Sequence, residues 1–180
     1  FIPNLTVGGA EQVTINIING LVARGYKVEL LLSKQEGELQ SQLSDDVTVV
    51  MLAPSKTAGL GVAAHLPALA AYLRRKTPAA LFCHMSHVNV VCLAVNKLLD
   101  LETAVIPAEH KSFGAPEEHS LKSQIVQGLT THLYPAADQI IAVSEGVADS
   151  LVEHGVGTDY IVRTDAAKTA LAFVALDANG

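Results

Sequence analysis

Four short segments carry side chains suited to hydrogen-bond and proton chemistry: Asn4 to Glu11, His84-Met85-Ser86-His87, Glu109-His110-Lys111 and Ser144-Glu145. Each follows an apolar run that reads as a strand. A histidine in the position of His110, after a strand in a cleft, titrates near neutrality and can bond a sugar hydroxyl or a leaving phosphate. The competing reading makes Glu109-His110 part of a surface salt bridge with Lys111. His84 and His87 straddle a strand end and a helix start with no carboxylate nearby in sequence and with Cys83 reading as a core thiol, which argues against a metal set and for a strand-end histidine bonded to backbone. Ser144 has the position of a helix N-cap. The G-x-S-x-G of a nucleophile elbow is absent around it.

Val7-Gly8-Gly9-Ala10-Glu11 joins the apolar run Phe1-Ile2-Pro3-Asn4-Leu5 to a long amphipathic stretch, the order of a strand, a glycine turn and a helix start. Adjacent glycines let the backbone take positive φ and approach a ligand closely. The free amides of a helix's first turn favour an anion in the same space. The turn is therefore a candidate phosphate cradle, with close strand-to-helix packing as the alternative reason for two glycines. A dinucleotide fingerprint would need G-x-G-x-x-G and an acidic residue after the second strand, where Leu31-Leu32-Ser33-Lys34 stands instead. A nicotinamide cofactor is disfavoured.

The elements that must position these residues follow from periodicity. Helical spacing runs from Gln12 to Arg24 and stops at Gly25, a left-handed cap; Gly37 to Leu43, Gly61 to Lys76, Ser86 to Leu99, Ser120 to Leu133 and a stretch from Ser144 to about His154 are the other predicted helices. Ser86 is expected to cap its helix. Apolar runs at Lys27 to Ser33, Val47 to Leu52, Ala79 to His84, Thr103 to Ala108 and Gln139 to Val143 follow the first strand, with polar loops at Ser55 to Gly61 and Lys111 to Glu118. Six strands alternating with helices predict an α/β, Rossmann-like doubly wound parallel sheet in the order 3-2-1-4-5-6. In such a sheet the four polar segments converge on the carboxyl edge.

The 180 residues suit one domain with a substantial core. Their apolar fraction of 49% with only 4% aromatics and no Trp fits buried parallel strands and gives no base-stacking platform. A net charge of -6 removes the general attraction for polyanions, so nucleic acid is not an expected partner. Cys83 and Cys92 read as free core thiols in a reducing compartment. No apolar run approaches the roughly 18 to 20 residues that cross a bilayer. The chain begins at Phe1 inside its first strand, without an initiator Met, so native residues are expected to precede it.

Taken in order, these residues resemble the N-terminal half of the family-4 retaining glycosyltransferases of the GT-B fold. Phe-Ile-Pro-Asn-Leu-Thr-Val-Gly-Gly-Ala-Glu at 1 to 11 is similar to that family's first strand and glycine loop. Cys-His-Met-Ser-His-Val-Asn at 83 to 89 and Ala-Glu-His at 108 to 110 resemble its fourth and fifth strand ends, and Ala-Asp-Gln-Ile-Ile-Ala-Val-Ser-Glu-Gly-Val at 137 to 147 its sixth strand and next helix. The resemblance runs to about Gly155. It divides the chain into an acceptor-side domain at 1–156 and a tail at 157–180.

What the resemblance implies is half of a bilobed enzyme that transfers a hexose from a nucleotide-diphosphate-sugar to a saccharide or lipid-linked acceptor, with retention of configuration and without a required metal or other cofactor. Gly8 and Gly9 would face the donor diphosphate and His110 the donor sugar near its reacting carbon. Asn4, Glu11, His84, His87, Glu109 and Ser144 would line the acceptor or sugar side. The parent would be cytoplasmic, with room for peripheral association at the inner face of a membrane. The partner domain, with its Glu-x7-Glu motif and basic phosphate contacts, is not in this sequence, so catalysis by these residues alone is not expected. Residues 157–180 depart from the family pattern; vector-derived sequence, a helix packed on the domain and a far C-terminal helix crossing back are all open. The rival class of function is a non-catalytic α/β binding or interaction module.

Overall fold

The computed structural model describes residues 1–34, 37–54, 61–112 and 121–157. The predicted loop at Ser55 to Gly61 except Gly61, most of that at Lys111 to Glu118, and the tail beyond Gly157 lie outside the described residues.

A run such as Leu30, Leu31 and Leu32, each at most 2% exposed, can be buried only where helices cover both faces of a sheet. These leucines form strand β1 (Glu29–Leu32), which pairs in parallel with β2 (Thr48–Met51). Leu30 and Leu32 pack with Ile15 and Ile18 of helix α1 (Gly9–Ala23), whereas Leu31 packs into a separate cluster on the other side. That second cluster holds Leu69 and Leu73 of α2 (Leu66–Lys76) and Val88, Val91 and Cys92 of α3 (Ser86–Leu99). The alternation of side chains along one strand thus separates α1 from α2 and α3.

Strand β3 (Ala80–His84) pairs in parallel with β4 (Ala104–Glu109), and β4 with the two-residue β5 (Ile141–Ala142). Helix α4 (Leu121–Leu133) lies between β4 and β5 in sequence, and α5 (Glu145–Glu153) follows β5. The two sheets meet across the first residues of the chain. Ile2 forms a parallel bridge with Leu32 and its amide bonds Leu31 O, while the Phe1 carbonyl accepts from the His84 amide and the Phe1 nitrogen bonds Phe82 O. Phe1–Pro3 therefore occupies the centre, and the spatial sequence is β2, β1, Phe1–Pro3, β3, β4, β5. This is the predicted 3-2-1-4-5-6 arrangement of a Rossmann-like half, with one correction. The predicted first strand is reduced to a single bridge, because Pro3 has no amide to continue a ladder and its carbonyl instead takes both the Ser33 and Lys34 amides.

Other boundaries shift by a few residues. The helix predicted over Gly61 to Lys76 is a 3-10 turn at Gly61–His65 followed by α2, and the one predicted over Gly37 to Leu43 is a 3-10 turn at Glu38–Gln42. Gly37 has φ +151, and a Cβ there would overlap the Leu5 backbone, so only glycine fits. Gly25 takes the expected left-handed conformation at φ +87. Cys83 and Cys92 are free and buried. No helix among the described residues is long and apolar enough to cross a membrane.

Thr77, which ends α2, adopts the same left-handed region (φ 41, ψ 57) with a β-branched side chain, while its amide bonds Leu73 O at 2.8 Å. The residue is exposed, so the side chain adds no burial to offset the strain. Thr77→Gly keeps the capping bond and should raise stability by about 0.5–1 kcal/mol, read as a higher urea midpoint with an unchanged slope. A lower midpoint would show that the threonine is not strained there.

Candidate functional site

Because every strand is parallel, the residues just beyond their carboxyl ends share one edge of the sheet. Phe1–Pro3 leads to the glycine turn, β3 to His84, β4 to Glu109-His110 and β5 to Ser144.

The turn starts with Asn4, whose Oδ1 accepts from Thr6 Oγ1 at 3.1 Å and shapes the bend. Gly8 is the N-cap of α1 with extended backbone (φ -169, ψ 163), and neither it nor Gly9 has the positive φ that the sequence suggested. Only Gly8 is needed for space. A Cβ on Gly8 would overlap the carboxylate of Glu11, which is only 7% exposed. A Cβ on Gly9 would meet nothing within 4 Å, and Gly9 is exposed. The open approach to the first-turn amides is therefore over Gly9, with Glu11 already seated over Gly8.

His84 is 2% exposed, and its Nδ1 lies 3.2 Å from Nε2 of the half-buried His110, the rings tilted by 34°. This replaces the predicted bond to backbone. His87, the second residue of α3, is exposed. Burial pushes the His110 ring down to about 4. Burial also drives His84 well below the usual histidine range, with His110 adding to it. Both rings are neutral at physiological pH. Among the described residues no group of three or more His, Cys, Asp or Glu is placed to hold a metal ion.

Glu109 is 1% exposed, which overturns the surface salt bridge with Lys111. Its Oε2 accepts from Ser86 Oγ at 2.8 Å and its Oε1 from Asn89 Nδ2 at 3.0 Å, and Tyr134 OH donates to the same Oε1. Asn89 also holds Ala108 O at 3.0 Å. Burial, and then the Glu109 charge, raise the Tyr134 phenol well above its ordinary value. Ser86 is thus the first residue of α3, bonded to Glu109, while Met85 at φ +79 takes the N-cap place with no side-chain cap. Ser144 does cap: its Oγ accepts from Val147 N at 3.3 Å. Ser112 Oγ ties the segment after His110 to Gly146 O at 3.3 Å.

Asn89 and Tyr134 were not singled out from sequence. The available signal was a polar residue inside the apolar face of a helix, since Asn89 is fully buried between Val88 and Val90.

A family model for Glycosyltransferase Family 4 matches residues 7–162, a span that includes the glycine turn, the histidine pair and Ser144. The chain belongs to this family. Its fold is the N-terminal, Rossmann-like half of GT-B glycosyltransferases. Solved structures similar to it include the apo form of the lipopolysaccharide outer core galactosyltransferase WaaB, at 15% identity and TM-score 0.64 over 90% of this chain and 44% of that one. Anabaena HepE in complex with UDP and glucose is similar at 18% identity and TM-score 0.62, over 89% of this chain and 42% of that one. UDP-N-acetylglucosamine 2-epimerase from Rickettsia bellii is similar at 12% identity and TM-score 0.60, over 89% of this chain and 43% of that one. The chain spans less than half the length of these proteins. A comparison with curated proteins gives no match.

The unequal glycines of this family-4 domain make a direct test. Gly8→Ala must displace the buried Glu11 carboxylate and should cost about 1 kcal/mol, most of it relieved in the Gly8→Ala/Glu11→Ala double variant, whereas Gly9→Ala should be neutral in a denaturation experiment. Additive losses in the double variant would contradict the contact. The histidines give a second test. Because both folded-state pKa values lie below the ordinary 6.5, the neutral pair contributes stability above about pH 6.5 that is lost as the pH falls from there through about 4. Thermal midpoints across that window should fall more steeply for the wild type than for His84→Asn/His110→Asn; parallel curves would mean the rings are not shifted.

Proposed function

We propose that this chain is the acceptor-side lobe of a retaining glycosyltransferase that moves a hexose from a nucleotide-diphosphate-sugar to a saccharide or lipid-linked acceptor. The observation that carries the reading is a neutral, half-buried His110 on the same sheet edge as the unobstructed start of α1 at Gly9, within the stretch matched by Glycosyltransferase Family 4. The fold alone is shared with a 2-epimerase, so the family match is what favours transfer. HepE, similar in this half, binds UDP and glucose, which supports a nucleotide-sugar donor here.

In this reading the amides of the first turn of α1, approached over Gly9, hold part of the donor diphosphate. Transfer with retention builds positive charge on the donor sugar ring and negative charge on the leaving phosphate. A neutral imidazole bonded to the sugar in that geometry adds no positive charge to the ring, and its bonds strengthen as the polarity of the reacting group grows. The Glu109 network holds the end of β4, and with it the backbone that carries His110. The remaining donor contacts come from a second domain.

Steady-state kinetics of the intact enzyme tests the assignment. His110→Ala should lower kcat by roughly 10²-fold, about 2.7 kcal/mol, with a smaller change in KM. Gly9→Val should raise the donor KM, because its side chain enters space that is open in the protein itself. Full turnover in His110→Ala would withdraw the catalytic role and favour a binding module.

A further inference from the structure

We infer that His84 is the positioning residue for His110: it holds the neighbouring ring through the Nδ1···Nε2 bond, obliges the two imidazoles to share one tautomer, and leaves Nδ1 of His110 as the ring nitrogen that meets a ligand. The inference rests on the proposed function for its consequence in turnover, and on geometry alone for the pairing.

At 2% exposure His84 is shut away from any substrate, and its Nδ1 is engaged at 3.2 Å by His110 Nε2. A bond between two ring nitrogens needs one proton between them. If His84 Nδ1 carries it, His110 Nε2 accepts and the proton of the neutral His110 ring is on Nδ1; if His110 Nε2 carries it, His84 accepts at Nδ1 and keeps its own proton on Nε2. In either case both rings are Nδ1–H or both are Nε2–H. The alternatives with opposite tautomers bring two protons or two lone pairs together and are disfavoured in a buried site. Burial lowers both rings, which keeps the pair neutral and the rule in force at pH 7.

The His84 backbone gives the clamp its rigidity. Its amide donates to Phe1 O at 3.1 Å, and as the last residue of β3 it stands opposite Ala108 of β4, two residues before His110. The two rings lie on the side of the sheet away from α3, matching Phe82 and Ile106 in strand parity, whereas Glu109 faces α3. His110 is therefore oriented by a side chain on its own face of the sheet and by the strand end that carries it.

Two measurements on the intact protein test this. Nitrogen-15 correlation spectra of the imidazoles should show His84 and His110 in the same tautomer at pH 7, and opposite tautomers or a charged ring would overturn the pairing. In kinetics with UDP-glucose, or whichever UDP-, GDP- or ADP-hexose the enzyme turns over, His84→Phe should lower kcat about tenfold with KM within about twofold. His84→Asn, whose amide overlays Nδ1, should recover most of that loss. His110→Ala impaired with His84→Phe unimpaired would overturn the positioning role alone, as would His84→Asn falling as far as His84→Phe. His110→Ala at full activity would instead remove the catalytic reading, leaving the tautomers to report on the pair. If His84→Phe does not fold, the wild-type spectra and the Asn variant decide.

Discussion

The structure depends on three residues, Phe1 to Pro3, lying between two short parallel sheets. Ile2 is fully buried, bridges Leu32 on one side, and has a neighbour in Phe1 that bonds both Phe82 and His84 on the other. This segment supplies the backbone link that joins β1 and β2 to β3, β4 and β5. It also aims the chain at the glycine turn, so the start of α1 and the histidine pair come to the same edge only because it is seated there. Met85 reinforces the junction by packing against the core clusters on both faces of the sheet.

Strand parity then sorts the chemistry. Glu109 shares the side of β4 that carries Val105 and faces α3, where Ser86, Asn89 and Tyr134 surround its carboxylate. Burying an ionised carboxylate is costly unless its oxygens find donors, and these three side chains meet that need. The outcome is an anchored strand end. One residue further, His110 is on the opposite side with His84, away from the carboxylate that would otherwise raise its pKa. Adjacent residues that look like one acid–base unit in sequence therefore do separate things: Glu109 braces and His110 faces the edge.

Much of this was legible in the sequence, because a parallel doubly wound sheet leaves few arrangements once six apolar runs alternate with helices. The Gly25 stop and the Ser144 cap were readable for the same reason, since both depend on residues within a turn of themselves. The misreadings are tertiary. Ser86 looked like a cap because serine before an apolar run commonly is one, but its hydroxyl meets Glu109 from a strand 23 positions on. The two glycines looked equivalent, and only the fold of Glu11 back over Gly8 separates them. Asn89 and Tyr134 are 45 positions apart, and nothing local announces their meeting. Apolar character alone overestimates the first strand, because Pro3 lacks the amide that would continue the ladder.

The charge around α1 bears on how the work is divided in a family-4 protein. A helix start carries roughly half a positive charge and attracts an anion on that account. Here Glu11 sits in the first turn, buried against Gly8, and offsets part of that attraction before any ligand arrives. The chain as a whole carries a net charge of -6; Arg74, Arg75 and Lys76 end the helix that enters β3 from the opposite edge, while Lys34 and Lys111 follow β1 and β4 on the carboxyl edge. In the proposed reading this half offers a diphosphate directed amides and open space over Gly9, with Lys34 and Lys111 as the cations that follow strands on that edge. Directed amides set where phosphates lie, whereas cationic side chains supply most of the attraction between charges. In the proposed reading the neutral histidines supply orientation and no charge of their own, because burial lowers both rings while His84 holds His110 in place.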